Sequence, residues 1–124
     1  MDVIREACNL LKLVLQARAP YDTGNLAINS IRIVGNAVYI GGEIADYAIY
    51  TNEPWINRSG KNPNEGWVER AIKEAKPLIS RALSGRATVE DVEQTKKMYN
   101  TIIERRKKEM VAQRVQEKEE IKGG

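Results

Sequence analysis

Three carboxylates in the middle of the chain, Glu43, Asp46 and Glu53, are of the residue type that metal-assisted or acid–base hydrolysis requires. In a hydrolase they would hold Mg²⁺ and help to activate a water molecule. Nothing in their spacing fixes the distances between them, and no basic partner is evident. We therefore interpret them as solvated loop carboxylates and keep a Mg²⁺-dependent hydrolase as the weaker alternative.

The rest of the composition argues against catalysis. Histidine is absent from the 124 residues, which removes the commonest general base at neutral pH and the commonest zinc ligand. Cys8 is the only cysteine, and it lies in an apolar stretch of helical periodicity, where a small buried side chain is expected. No glycine-rich phosphate-binding motif is present. The sequence predicts a protein that is not an enzyme and has no cofactor or metal.

A basic run near the C-terminus is the candidate contact with DNA or a partner; it consists of Arg105, Arg106, Lys107 and Lys108. Such side chains can contact a phosphate backbone. Acidic residues flank the run on both sides, however, and mixed charges along a helix are typical of a solvated face. A nucleic-acid-binding protein that uses this helix is therefore an alternative function.

A polar loop predicted over residues 53–65 is the candidate interface. It contains Trp55, and a tryptophan in a polar loop often anchors a contact with a partner. Glu53, Asn57 and Arg58 accompany it as candidate interface residues. The alternative is that Trp55 packs back onto its own domain.

The pattern of elements predicts an α+β fold. Apolar residues at helical spacing indicate an N-terminal helix over residues 2–18 and a second helix over 66–83. Between them we expect a small, mainly antiparallel sheet that packs against both helices. Its strands are expected over residues 26–34, 37–41 and 48–52, and Gly35-Asn36 suits a two-residue hairpin turn.

Two further signals concern the C-terminal half of the chain. Pro77 lies inside the second helix, where we expect it to kink or divide that helix because its nitrogen donates no hydrogen bond. Thr88 and Asp91 form a capping-box pattern that starts a long charged helix, expected to run to about Lys118. We place a domain over residues 1–85 and a charged helical extension over 86–124.

The chain carries a net charge of +3, which is too modest to indicate nucleic-acid binding by itself. No apolar stretch approaches the roughly 20 residues that a membrane-spanning helix needs, and the N-terminus lacks the layout of a signal peptide. We expect a soluble protein that is made in a reducing cytoplasm and has no membrane partner.

The order of three short motifs resembles the head–tail joining and tail-completion (minor tail protein Z-like) family of long-tailed bacteriophages. The motifs are Thr23-Gly24-Asn25-Leu26 with Ser30-Ile31, then Tyr47-Ala48-Ile49-Tyr50, then the segment from Asn62-Pro63 to Ala71. The resemblance covers about residues 1–84. It departs from the family where Thr51-Asn52-Glu53-Pro54-Trp55 replaces a Val-Glu-aromatic-Gly-Thr pattern, and the helix from Thr88 is not a usual part of it.

The resemblance implies a structural protein of the phage neck or tail end, assembled in the host cytoplasm and carried in the virion. It implies a homo-oligomeric ring, expected to be a hexamer, through which DNA passes. The implied partners are further copies of the chain, neighbouring neck and tail-tube proteins, and the DNA. A minor capsid-associated protein of the same phage class is an alternative that the sequence does not separate from this one.

Overall fold

The computed structural model describes residues 3–20, 30–41 and 51–123, and the side chains of these ranges as far as Glu109. The described residues form an α+β fold of three helices and two small antiparallel sheets, which confirms the predicted class. In chain order the elements are α1 (Val3–Arg18), β1 (Arg32–Val34), β2 (Ala37–Tyr39), β3 (Ile56–Asn57), β4 (Gly60–Lys61), α2 (Trp67–Leu83) and α3 (Val89–Gly123).

The core lies where the three helices meet. Helix α1 contributes Val14 and Ala17, which lie three residues apart on one face of the helix, together with the adjacent Leu15. Helix α2 contributes Trp67 followed by Ala71 and Ala75, each four residues after the last. The two alanines leave little side-chain bulk on this stripe, so α1 can approach α2 closely.

Helix α3 belongs to the same core. Tyr99 and Ile103 are buried against residues of α1 and α2. The boundary that we placed at residue 85 therefore falls within one continuous core, and the first half of α3 is not an extension outside the domain. None of the helices in the described part of the chain combines the length and apolar character that crossing a bilayer requires.

Strands β1 and β2 form the predicted hairpin. Arg32 pairs with Tyr39 and Val34 with Ala37, and the turn contains Gly35 at a φ of 62°. Positive φ at the first central residue alone is the pattern of a type II′ turn, which favours glycine there. Val38 and Ile40 pack against the core while Tyr39 is exposed, because successive side chains along a strand point to opposite faces.

The sheet differs from the prediction in three ways. The described strands form two separate two-stranded sheets, whereas one sheet was expected. Residues 51 and 52 are helical, so the strand expected over 48–52 is wrong at its described end. Of the strand expected over 26–34, only Arg32–Val34 is a strand in the described part, and residues 26–29 lie outside that part. Residues 48–50 of the third expected strand also lie outside it.

Helix α2 runs through Pro77 without interruption, so the expected division into two helices is wrong. The carbonyl of Lys73 would accept the missing hydrogen bond in a regular helix. Lys73 and Pro77 both lie on the exposed side of α2. Water can therefore hydrogen-bond that carbonyl, and the helix continues past the proline.

Helix α3 starts with the predicted capping box, which is confirmed. The backbone N–H of Asp91 donates to Thr88 Oγ1, and the N–H of Thr88 donates to Asp91 Oδ2, both at 3.1 Å. These two bonds satisfy amides at the helix end that have no partner within the helix. The bond from the Thr88 N–H also holds the pKa of the Asp91 carboxyl below its usual value.

Candidate functional site

Residues 51–66, which precede helix α2, are an ordered structure built around Asn62, where we had expected a long exposed loop over residues 53–65. The Asn62 side chain is only 6% exposed. Its Nδ2 donates to the carbonyls of Thr51 and Glu53 at 2.9 and 2.8 Å, and its Oδ1 accepts from the N–H of Asn64 at 2.9 Å. The backbone N–H of Asn62 donates to the carbonyl of Trp55 at 2.9 Å. One buried amide thus ties both ends of the segment together.

A second asparagine, Asn52, joins this segment to α2. Its Oδ1 accepts from the N–H of Val68 and its Nδ2 donates to Glu69 Oε1, at 2.9 and 3.0 Å. Its backbone carbonyl accepts from the N–H of Gly66 at 3.0 Å. The bond from Asn52 lowers the pKa of the Glu69 carboxyl.

Trp67 fixes the same segment to the core. Its ring is buried, and its Nε1–H donates to Thr51 Oγ1 at 2.9 Å. A buried indole nitrogen needs such an acceptor. Trp67 is therefore a core residue, and Thr51 is held at the base of the segment.

Strands β3 and β4 form a short hairpin that projects from this base. Ile56 pairs with Lys61 and Asn57 with Gly60. The Asn57 Oδ1 accepts from the N–H of Ser59 at 2.8 Å, which forms an Asx turn across the tip. We name residues 55–61 the hairpin knob.

The predicted interface residues Glu53, Trp55, Asn57 and Arg58 are all exposed on or beside the hairpin knob. Trp55 is 36% exposed, so its ring is partly covered. Ile56 is 75% exposed, which makes it the most exposed large apolar side chain of the knob. Ile56 was not among the predicted interface residues, although an isoleucine between Trp55 and a turn-forming asparagine is a usable signal.

The basic run on α3 does not form one exposed surface. Arg106 is only 9% exposed, and its guanidinium donates to the carbonyls of Gln16 at 3.0 Å, Ala17 at 2.5 Å and Ala19. These carbonyls lie at the C-terminal end of α1, where backbone acceptors lack partners within the helix. The prediction that Arg106 contacts DNA or a partner is therefore wrong, because its guanidinium is bound inside the protein.

The other three residues of the run lie nearer the surface. Lys107 is partly covered and pairs with Glu104 at 3.2 Å. Arg105 and Lys108 are exposed, as is Lys97. They lie 8 and 11 residues after Lys97, which is about two and three helical turns, so the three side chains share one face of α3. We name Lys97, Arg105 and Lys108 the basic face of α3.

An open groove lies on another part of the molecule, with a volume of about 390 Å³. It is bounded by α1, by the C-terminal half of α2 and by the first turns of α3. We name it the helical groove; its apolar lining consists of Leu10, Leu78, Ala87, Val92 and Met98, and its polar lining includes Arg81 and Asp91.

The carboxylates considered for catalysis are not assembled into a site. Glu53 is exposed beside the hairpin knob, and Glu43 and Asp46 lie outside the described residues. Within the described ranges, no cluster of three or more metal-ligating side chains is found. Cys8 is buried, as expected from its position on α1.

Comparisons with protein-family models, with curated proteins and with solved structures each found no match.

Proposed function

We propose that the chain is a structural subunit of a ring at the junction of head and tail in a long-tailed bacteriophage. The phage assignment rests on the motif order described above. The structural role rests on one observation: Ile56, an apolar side chain that is 75% exposed, projects on a hairpin whose base is fixed by Asn62.

A rigid hairpin with an exposed apolar residue favours binding for two reasons. Burying apolar surface stabilises a complex by roughly 25 cal/mol per Å². A preformed hairpin also loses little conformational entropy when it binds, since its turn and base are already hydrogen-bonded. Both features suit a protein whose function is to contact neighbouring subunits.

A stop codon in the gene for this chain, in the phage that encodes it, tests the junction role. Electron microscopy of the lysate should show DNA-filled heads and complete tail tubes that remain separate, and supplying the chain in trans should restore joined particles. Joined, infectious particles in the absence of the chain would refute the proposal. A failure to form heads at all would favour the capsid-associated alternative.

Binding to nucleic acid is a second candidate function, favoured by the basic face of α3. Lys97, Arg105 and Lys108 are exposed on it, with Glu104 and Glu109 as acidic neighbours. Three phosphate contacts would make the logarithm of the binding constant fall with the logarithm of salt concentration at a slope of about −3.

Fluorescence anisotropy with a duplex DNA of arbitrary sequence measures this slope. The variant Lys97→Gln/Lys108→Gln should reduce its magnitude, whereas Lys73→Gln/Lys76→Gln makes the same charge change on exposed positions of α2 and should not. Equal effects of the two double variants would show only a general attraction of a basic protein to DNA.

A further inference from the structure

The hairpin knob and the helical groove are an exposed apolar projection and an apolar depression on the same chain. The knob presents Ile56 and part of Trp55. In the groove, Leu10 is only 2% exposed and Met98 is 52% exposed. Leu10 therefore lies at the buried bottom of the groove and Met98 at its solvent-accessible side, so an aliphatic or aromatic side chain could enter it.

The two surfaces lie at opposite ends of helix α2. The segment that carries the knob is hydrogen-bonded to the first turn of α2 through Asn52 and Val68. The groove uses Leu78 and Arg81, which lie about 16–21 Å further along the axis from Trp67 at 1.5 Å per residue. Because the base of the knob is fixed, the knob of one chain does not reach the groove of the same chain.

The knob carries two basic residues, and two acidic residues lie beside the groove, whose lining also includes Arg81. Arg58 and Lys61 are exposed on the knob. Glu90 and Asp91 are exposed in the first turn of α3, beside the groove. Hydrogen bonds from Thr88 hold the pKa of the Asp91 carboxyl low, so it carries its charge at neutral pH.

We propose that the hairpin knob of one copy docks into the helical groove of a second copy, with Ile56 entering the groove beside Met98. The occupant of the groove is thus another molecule of the same chain. Such a contact is head-to-tail, since different surfaces of the two copies meet, and repeating it builds either a closed ring or an open filament. The inference rests on the proposed function in one respect: in the proposed ring, this contact joins each subunit to the next.

Mixing two defective variants tests this geometry. Ile56→Asp removes the apolar side chain of the knob, and Met98→Asp places a charge at the accessible side of the groove. Each change lies at an exposed position, so the fold should be retained. We expect each variant alone to lose self-association by roughly tenfold or more relative to the wild type. Mixed in equal amounts, the two should form a dimer, because one chain retains a knob and the other retains a groove.

Light scattering after size-exclusion chromatography and native mass spectrometry give the masses. Val34→Asp, which places the same charge at an exposed apolar position on β1, should assemble like the wild type. Melting curves confirm folding, and Met98→Lys replaces Met98→Asp if the latter is destabilised.

A wild-type chain that remains monomeric at all concentrations would overturn the docking proposal. A mixture of folded variants that remains monomeric would also overturn it, as would normal assembly of either variant alone. These outcomes are independent of the stop-codon experiment, which tests the junction role. If that experiment gave separate heads and tails but the mixing experiment failed, the junction role would be supported and the knob–groove contact would be refuted.

Discussion

Asn52 caps helix α2 although it lies outside that helix. Its Oδ1 accepts from the backbone N–H of Val68 at 2.9 Å, while Gly66, the residue at the helix boundary, provides no side-chain cap. The first turn of α2 and the base of the hairpin knob are therefore stabilised by the same side chain.

Replacing Asn52 with alanine should lower the free energy of unfolding by about 1–2 kcal/mol, because the amide of Val68 loses its cap. Urea denaturation followed by circular dichroism measures the change. Asn100→Ala removes the same side chain from an exposed position in the middle of α3 and is the control. A loss of stability that is the same in both variants would contradict a capping role.

Replacing Arg106 with methionine should destabilise the fold by roughly 1–3 kcal/mol, since the carbonyls of Gln16 and Ala17 lose a buried donor. Arg105→Met makes the same change at an exposed neighbour and should cost less than about 0.5 kcal/mol. Chemical denaturation of both variants gives the comparison. Equal stabilities would show that the bonds of Arg106 contribute nothing to folding.

Replacing Pro77 with alanine should stabilise the protein by up to about 3 kcal/mol, because alanine supplies an N–H to the carbonyl of Lys73 within α2. The melting temperature should rise. Lys76→Ala is the control: it places alanine at the preceding exposed position of α2, where the backbone N–H is already present, so no hydrogen bond is gained. An unchanged or lower melting temperature for Pro77→Ala would refute this expectation.

Burial raises the pKa of the Tyr99 hydroxyl above its usual value, and the negative charge of Glu74 adds to the rise. In the unfolded chain this tyrosine ionises near pH 10, and in the folded protein it ionises at a higher pH. The unfolded state then binds fewer protons, so the stability that Tyr99 contributes is present below about pH 10 and is lost as pH rises above it.

Measurements of unfolding free energy between about pH 9 and 11 test this sign. Tyr99→Phe should reduce the fall in stability across that range. The pKa of Lys96 is also raised, chiefly by its hydrogen bond with Glu6, and adds an alkaline loss of the same sign. We therefore compare Tyr99→Phe with the wild type, because Lys96 is present in both. A parallel decline in the two proteins would show that Tyr99 does not titrate as expected.

The two tryptophans should respond differently to substitution by alanine. Trp67 is 3% exposed and Trp55 is 36% exposed. Trp67→Ala should cost roughly 3–5 kcal/mol of stability. Trp55→Ala should leave the melting temperature of the monomer nearly unchanged and weaken self-association. A large loss of monomer stability in Trp55→Ala would identify Trp55 as a residue that packs on its own domain.

Features that depend on neighbours a few residues apart were predicted from the sequence. The capping box joins Thr88 to Asp91, the turn at Gly35 joins two adjacent strands, and the apolar stripes of the helices repeat every three or four residues. Each of these signals acts within one turn or one hairpin, so the local residue types suffice.

Contacts between distant parts of the chain were decided by the tertiary structure. Arg106 and Ala17 are 89 positions apart, and the burial of Arg106 follows from how α3 crosses the end of α1. Asn62 orders the base of the hairpin knob because the carbonyls of Thr51 and Glu53 lie beside it. The sequence by itself determined the helices and an exposed tryptophan segment. The tertiary structure decided which polar side chains are buried, because only packing brings the backbone carbonyls that they bind within hydrogen-bonding distance.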